Sequence, residues 1–546
     1  MADVLTAKQR SYNMSRIRST GTGPEMIFQE LLRKKNITDF ETHPKDMTGR
    51  PDFYFRNKKM AVFIDGCFWH GCKTCFKMPA TNTAFWRAKI KANILRDRKV
   101  NRMLAGKGVS VLRVREHDLK KNPEKILATV ERKLSENCSP TVLDLFAGAG
   151  GFSEGFVRAG CEIVGHIEMD SNACSTIVTR MIYHALVKKG GFKDYRDYVL
   201  GKISRDALVE KYELQRERDS VICSRIGKDN FRELIRQIRK RLEGRDLDII
   251  IGGPPCQAYS YIGRARDERN MKRDDRNFLY RYYVKFLKAL KPKIFVFENV
   301  PGLESAGDGR HLREMRLLMK RAGYETAYKT LDAVDFGVPQ TRKRIILVGW
   351  SKESRLRSYP DFPNTSREYR VKSFLADLPK IRSGQGKRVE LSSKVGKLLT
   401  EIGIADRKFD VIMEHVARPN NRRDLQIYRR AILAKRHGRN IRYNDLPDKL
   451  KTHKNKHGFL DRFKVVDANA DGAQTVVAHI AKDGHHYIHP DLQQLRSLTV
   501  REAARLQTFP DDYKFEGERS SQFRQIGNAV PPLLSTILAK ELKKYI

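Results

Sequence analysis

Apolar positions in the first quarter of the chain follow two alternating rhythms. "PEMIFQELLRKK" repeats apolar residues at helical spacing, whereas "MAVFID" and "VSVLRV" are short apolar runs that predict buried strands. A short polar connector, "SENCSP", interrupts this texture. From Thr141 onward the pattern becomes strand, Gly-rich turn, helix: "TVLDLFAGAGGFSEGFVRAG", then "EIVGHIEMD", "DLDIIIGGPPC", "KIFVFENV" and "RIILVGW". Short apolar strands separated by helical stretches predict βαβ units and a mostly parallel sheet with both faces covered. Between about Glu353 and Phe463 that rhythm is expected to stop, replaced by a basic, irregular segment ("RPNNRRDLQIYRRAILAKRHGRN"). An ordered stretch from "SLTVREAARLQTFP" to "QIGNAVPPLLSTILAKEL" then resumes. The predicted sections are residues 1–134, a linker at 135–139, and residues 140–352, 353–463 and 464–546, all of α/β class. No internal repeat or low-complexity tract is found.

The 546 residues exceed one ordinary domain and at roughly 150 residues each suggest about three or four. Lys and Arg number 107 against 65 Asp and Glu, a formal charge of +42 spread along the chain. Such a field favours a polyanion, foremost nucleic acid, with salt-sensitive binding. The start "MADVLTAKQR" has no apolar core for secretion, and no run approaches the roughly 18 apolar residues of a membrane span. A cytoplasmic protein with no membrane partner is expected. Eight cysteines, three of them clustered, do not form a disulfide framework. Reduced thiols are expected, a few of them recruited for metal or catalysis.

In "DLFAGAGG" a strand ends and Gly148, Gly150 and Gly151 allow a tight turn against a ligand before a helix. Glu168 ends the next strand, where an acid can hydrogen-bond ribose hydroxyls. Cys256 follows Pro254 and Pro255 directly after a buried strand. It reads either as an inert buried cysteine or as a thiol held where parallel sheets keep their ligands. Glu298 ends "FENV". Arg342 and Arg344 in "QTRKR" are one residue apart and so are expected to face the same side of an extended segment.

In this order, "DLFAGAGGF", "PPCQ", "ENV", "QTRKR" and "GNAVPP" resemble the cytosine-5 DNA methyltransferases, from about Pro140 to Ile546 apart from the basic segment. The resemblance implies a Rossmann-like catalytic domain for S-adenosylmethionine, with a target-recognition domain at 353–463 and residues 464–546 completing the catalytic part. It gives Cys256 the attack on carbon 6 of a flipped-out cytosine. Glu298 would serve ring nitrogen 3, and Arg342 and Arg344 the base carbonyl and a neighbouring phosphate. Phe146, Gly148 and Gly150 would line the cofactor, Glu168 its ribose, and Met169 and Leu279 its adenine, with Asn528 closing the pocket. One departure is a long charged insertion between Cys174 and Gly253, where the family has a short link with an Asp near the adenine amine. Asp229 is the substitute the sequence offers.

"GCFWHGCKTC" gathers Cys67, Cys72 and Cys75 with His70 around Phe68 and Trp69. The cysteine spacing is compatible with one zinc. Its fourth ligand is either His70 or a distant strand-end residue, His117 in "VREHD". Asp52 in "GRPDF" and Asp65 in "VFIDGC" are either ordinary turn residues or strand-end carboxylates like those of restriction-type nucleases, which hold magnesium.

"MADV", "NMSRIRS", "PE", "GRPDF", "GCFWHGCKTCFKMPATNTAFW", "RDRKVNRML" and "VREHDL" together resemble the very-short-patch repair endonucleases over Met1 to about Leu134. These nick beside the T of a T:G mismatch. The resemblance implies a restriction-endonuclease-like α/β domain with magnesium on Asp52 and the Ile64 carbonyl, and with Glu25 and His70 contacting water held by the metal. Phe68, Trp69 and Trp86 would wedge into the DNA stack, and zinc would fall to Cys67, Cys72, Cys75 and His117. The family has a histidine where this chain has Asp65, so either the proton-transfer step differs or Asp65 is an extra metal ligand. In the zinc set His117 replaces a cysteine and Cys72 a histidine.

Together the two resemblances imply a bifunctional enzyme acting on double-stranded DNA. Rival readings make the first section a restriction-type nuclease cutting unmethylated sites, or a zinc-stabilised DNA-binding module without chemistry. A monomer on DNA is expected, in a prokaryotic, nucleoid-associated setting, with mismatch-repair or nick-processing proteins as further partners.

Overall fold

The computed structural model describes residues 20–107, 109–136, 139–255, 279–365, 369–392, 396–451 and 460–546. The chain separates into two compact units, Met1–Ser139 and Pro140–Ile546.

The first unit orders α1 (Gly23–Lys34), β1 (Glu41–Thr42), β2 (Phe53–Phe55), β3 (Met60–Asp65), α2 (Thr83–Gly106), β4 (Ser110–Arg115), α3 (Glu116–Lys121) and α4 (Pro123–Glu136). Its sheet runs β1-β2-β3-β4, antiparallel except for the parallel pair β3–β4. A parallel pair requires a crossover, which α2 supplies. Alternation along the strands sorts the core. Phe53, Phe55, Met60 and Val62 meet Phe28, Leu32, Leu119, Leu127 and Val130 from α1, α3 and α4. Tyr54, Ala61 and Phe63 point to the opposite face and meet Leu104 of α2. Each such buried side chain contributes about 1.5–3 kcal/mol relative to exposure, and the result is a rigid sheet whose β3 carboxyl end carries Asp65 and the cysteine turn.

The second unit is built on a seven-stranded sheet, β10-β11-β9-β8-β5-β6-β7. Its strands are β5 (Thr141–Leu145), β6 (Glu162–Glu168), β7 (Val221–Cys223), β8 (Ile249–Gly252), β9 (Ile294–Asn299), β10 (Glu325–Asp332) and β11 (Lys343–Trp350). Strands β5 to β9 are parallel, and β11 runs antiparallel to both β9 and β10. Both faces are covered: Leu143, Ile250 and Phe295 belong to one core, Val142, Ile249, Ile251 and Val296 to the other. The strand order reverses between β5 and β8. Such a switch point opens a crevice outside the strand carboxyl ends.

Helix α5 (Gly151–Arg158) follows β5. The charged insertion folds as α6 (Ser171–Lys188), α7 (Phe192–Val199), α8 (Arg205–Tyr212) and α9 (Gln215–Asp219), ahead of β7. Helix α10 (Phe231–Leu242) leads into β8, α11 (Leu279–Leu290) into β9, and α12 (Arg310–Arg321) into β10.

The segment expected to be irregular contains regular structure. Strands β12 (Gly386–Leu391) and β13 (Val411–Val416) pair antiparallel, and α13 (Arg422–Arg436) is a full helix. Arginines dominate the composition of α13 and hide its apolar stripe: Ile427, Tyr428, Ala431 and Ile432 recur at helical spacing and are buried. They pack with Phe463, Val465 and Ile488, so this core runs on past Phe463. Strand β13 joins instead the insertion, since Phe409, Val411 and Met413 share a core with Tyr195, Val199 and Leu208. Buried charges tie β13 to α14 (Val500–Leu506), with Arg501 2.6 Å from Glu414 and also donating to the carbonyls of Met413, Pro510 and Tyr513. Helices α15 (Arg519–Asn528) and α16 (Pro532–Leu542) close the chain, α16 lying against α5.

Candidate functional sites

The Gly-rich turn after β5 is held from the neighbouring strand. Glu168 accepts the Gly148 amide on one carboxylate oxygen at 2.8 Å and the Met169 and Asp170 amides on the other, each at 2.8 Å. Phe146 is left-handed at φ 58, uncommon for a bulky residue, and Gly148 follows at φ 55. A Cβ on Gly148 would meet open space, whereas one on Gly151 would lie 2.4 Å from the Val530 carbonyl oxygen. Gly148 therefore shapes a concave, amide-lined cradle, and Gly151 lets α5 approach the C-terminal segment. Beneath the turn, burial pushes the Asp144 carboxyl up to about 8. These features fit a nucleoside cofactor: an open amide-lined turn beside a carboxylate that keeps accepting capacity. Met169 is exposed, Leu279 begins α11 half-buried, and Asn528 is exposed at the end of α15. Asp229 is exposed in a turn closed by Asn230, whose side chain accepts the Gly227 amide and donates to Ser224 and Arg225.

At the carboxyl end of β9, Glu298 pairs with Arg344 at 2.8 Å. The register explains the contact. Glu298 lies opposite Ile346, so Arg344, two residues along, is its diagonal neighbour on the same face. A Cβ on Gly253 would sit 2.6 Å from the second Glu298 oxygen, so glycine there lets the chain after β8 lie against the carboxylate. Asn299 also donates to the Pro254 carbonyl at 3.4 Å. Cys256 lies outside the described residues.

Arg342 does not share the face of Arg344, and this corrects the expectation. Its amide is held by Asp332 at the end of β10, and its guanidinium donates to the carbonyls of Val476, Gly527 and Ala529, with the residue 1% exposed. The side chain joins "QTRKR" to "GNAVPP" and is an internal brace. Replacing it strands buried carbonyls. Arg342→Met is expected to destabilise this unit by roughly 2–4 kcal/mol, read as a lower urea midpoint. A midpoint equal to the parent's would refute the brace.

In the first unit Asp52 accepts the Ile64 amide at 2.6 Å across β2 and β3. Burial pushes its carboxyl up to about 6, with Glu25 and Asp65 adding to the effect and the Ile64 amide and His43 opposing it. Glu25 is buried and accepts from the Gly21 amide and the Thr22 hydroxyl, each at 2.8 Å. With His43, these two carboxylates place their ligand atoms within 4.8 Å of one another, a donor set that fits a divalent cation. A second group joins Asp65, His70 and Asp97. His70 lies 2.6 Å from Asp97 through Nδ1, and Arg113 bridges Asp65 at 2.7 Å and Asp97 at 3.2 Å. Asp65 is thus grouped with His70 and neutralised by an arginine.

Cys67, Cys72, Cys75 and His117 bring their ligand atoms within 4.8 Å of one another, a Cys3His donor set able to hold a metal ion. His117 Nδ1 is 3.2 Å from Cys67 Sγ and 3.5 Å from Cys72 Sγ, while its Nε2 lies 3.1 Å from Asp118. A backing carboxylate of this kind orients a ligating imidazole. The Thr74 and Cys75 amides aim at the Cys72 sulfur and bring its thiol down to about 7. His70 takes no part in this group. Just outside it, Phe68 is 5.2 Å from both Trp69 and Trp86, and Lys89 lies over Trp69 at 5.6 Å. All three rings are partly exposed.

His43, Asp97, Arg113 and Asp118 escape sequence reading. Asp97 lies within "RDRKVNRML" and Asp118 within "VREHDL", but neither spacing nor composition marks which residue of a charged run turns inward.

The sequence matches the family described as C-5 cytosine-specific DNA methylase over residues 140–209 and 212–544. It matches the DNA mismatch endonuclease Vsr over residues 2–77. The type II methyltransferase M.Bpa9945I of Bacillus paralicheniformis is 40% identical over 441 residues, spanning 74% of this chain and 99% of the relative. M1.HphI of Haemophilus parahaemolyticus is 30% identical, spanning 74% of this chain and 87% of its own. A solved structure from E. coli, described as a DNA modification methyltransferase encoded within a prophage, superposes with a TM-score of 0.51 at 22% identity, covering 74% of this chain and 99% of that one. Its likeness concerns the fold. S-adenosylmethionine is the cofactor the methylase family implies, and duplex DNA the partner both matches imply. The chain belongs to the C-5 cytosine-specific DNA methylase family and carries a Vsr-type mismatch-endonuclease segment fused ahead of it.

Proposed function

We propose that one polypeptide both methylates cytosine at carbon 5 within a specific duplex sequence and nicks DNA beside the T of T:G mismatches left when 5-methylcytosine deaminates. The first activity creates a mutational liability, because deamination then yields thymine instead of uracil. The second begins its repair.

For methyl transfer, the observation that carries the reading is the Glu298–Arg344 pair against Gly253 at the carboxyl ends of β8 and β9, next to the sheet's switch point. A cytosine there must leave the stack to be reached. The Cys256 thiolate adds to carbon 6, making carbon 5 nucleophilic, and Glu298 serves ring nitrogen 3 as charge enters the ring. S-adenosylmethionine supplies the methyl group. Loss of the carbon 5 proton then expels the thiolate. Arg344 orients Glu298 and meets the base or its phosphate, while Arg342 holds the segment in place. Phe146, Gly148 and Gly150 would line the cofactor, Glu168 would hold its ribose and Met169 and Leu279 its adenine, with Asn528 closing the pocket. Residues 353–463 read the target.

For nicking, Asp52 with the Ile64 carbonyl would hold a divalent metal, magnesium by the mismatch-endonuclease resemblance, whose role is to polarise a phosphate and an attacking water, and Glu25 would contact water beside it. His70, oriented by Asp97, moves the proton. The Arg113 ion pair removes Asp65 from the metal set. Phe68, Trp69 and Trp86 enter the base stack. The sulfur and imidazole donors of the cysteine group fit zinc, which would brace the turn that carries the aromatics. His117→Ala is expected to lose zinc while His70→Ala keeps it, read by elemental analysis. The reverse result would return the fourth ligand to His70.

Among the described residues no helix is long and apolar enough to cross a membrane. A monomer acting on DNA in the cytoplasm is our reading. Bisulfite sequencing of DNA from cells expressing the protein tests it directly by revealing the methylated motif. A T:G duplex of that motif, incubated with the purified protein and magnesium, then tests the nickase. Cutting of the matched, unmethylated duplex instead would favour a restriction-type nuclease.

A further inference from the structure

Position 65 lacks the imidazole that the mismatch-endonuclease resemblance leads one to expect, yet the structure delivers one to the metal cluster from another strand. Strand β1 pairs with β2 in the register Glu41 with Tyr54 and Thr42 with Phe53. One step further, the His43 amide donates to the Asp52 carbonyl at 3.4 Å, so backbone pairing itself sets His43 beside Asp52. His43 then turns left-handed at φ 49, a conformation histidine enters more readily than most residues. The ring lands between two carboxylates, each facing a different nitrogen: Nε2 is 3.1 Å from Glu25 and Nδ1 is 3.6 Å from Asp52.

These distances assign two different jobs. At 3.1 Å the Nε2–Glu25 contact is a hydrogen bond. At 3.6 Å the Nδ1–Asp52 contact is too long for one, and it matches the separation of two ligand atoms that share a small dication at roughly 2.1 Å each. A ligating imidazole whose other nitrogen donates to a carboxylate is the usual arrangement in metal centres. We infer that His43 is a nitrogen ligand of the Asp52 centre, oriented by Glu25, and that the centre takes a first-row transition dication such as Mn2+ in preference to Mg2+. The chemistry follows from the donor set: magnesium favours an all-oxygen octahedron and releases water reluctantly, whereas an imidazole nitrogen favours the transition ions. The inference rests on the reading of Asp52 as a metal ligand.

The test is Mn2+ binding to the full-length protein at fixed pH, followed by electron paramagnetic resonance with Mg2+ as competitor. It compares the parent with His43→Gln, His43→Asp and Asp52→Asn. Tryptophan emission, to which Trp69 and Trp86 contribute, checks that the first unit is folded. The parent should hold Mn2+ against at least about a tenfold excess of Mg2+. His43→Gln should weaken Mn2+ about tenfold with little change for Mg2+. His43→Asp should recover binding with the Mn2+ preference gone. If Asp52→Asn abolishes binding but His43→Gln leaves both affinities unchanged, His43 is no ligand and the inference falls alone. If Asp52→Asn leaves Mn2+ binding intact, the metal-centre reading falls and takes the inference with it.

Discussion

Cys256→Ser is expected to lower methyl transfer by at least about a thousandfold while leaving S-adenosylmethionine binding intact. The attacking species must be an anion, and an ordinary thiol of pKa about 8.5 already supplies a few per cent of it near neutrality. A serine hydroxyl, a far weaker acid, supplies essentially none. Cofactor binding should survive because the cradle is made by the Gly148 turn and Glu168 on β5 and β6, held by their own hydrogen bonds. Transfer of labelled methyl groups to duplex DNA measures the first quantity, and equilibrium dialysis of the cofactor the second. A stronger form uses duplex containing 5-fluorocytosine. Release of the enzyme requires loss of the carbon 5 substituent as a proton, so fluorine there should leave the parent covalently attached and the serine variant free. If the variant keeps a tenth of the parent's rate, or also forms the adduct, Cys256 is not the nucleophile.

What the sequence could reveal of these sites depended on how local each one is. The cofactor turn was legible because strand, glycines and helix are contiguous, and the acid that braces it ends the very next strand. Glu298 and Arg344 were recognisable as types, but their pairing is a property of the antiparallel β9–β11 register, which no local pattern encodes. Arg342 looked equivalent to Arg344. Its burial is decided by carbonyls 134 and 185 residues away in sequence. The arginine-rich stretch 418–440 concealed a helix because charge on the exposed face outnumbered the apolar stripe beneath. His43 is the extreme case: a lone histidine in a polar connection acquires meaning only when β1 pairs with β2 and brings it level with Asp52. Cysteines stand out in any sequence. The carboxylates that orient His70 and His117 do not, because Asp97 and Asp118 sit among charges that mostly face water.

Asp52→Asn should abolish nicking of a T:G duplex and, at the same time, stabilise the metal-free first unit above pH 6. The wild-type carboxyl, moved from an ordinary 3.8 to about 6, prefers the neutral form in the folded protein. Its raised value contributes stability that is fully present below about pH 4, declines between about pH 4 and 6, and is gone above that. About two pH units correspond to roughly 3 kcal/mol, an upper bound because the side chain remains 19% exposed. Asparagine never ionises, so relative to wild type it should gain up to about 3 kcal/mol at pH 7.5 and little at pH 4. It still accepts the Ile64 amide, which keeps β2 and β3 joined. Added Mg2+ or Mn2+ should raise the unfolding midpoint of the wild type at pH 7.5, where the ligand is ionised, far more than at pH 4.5, where protons compete. Neither ion should change the variant's midpoint at either pH. Mismatch binding should persist in the variant, since Phe68, Trp69 and Trp86 stand on the cysteine turn and α2 and owe nothing to the Asp52 charge. Denaturant unfolding at the two pH values, with and without metal, together with gel assays of nicking and binding, measures every term. A variant that still nicks at a tenth of the parent rate, or that gains as much from metal as the parent does, would show that this carboxylate is not the metal's ligand. An acid kept at a cost of this size is a group the fold retains against its own stability, which is the expected signature of a functional residue in place of a structural one.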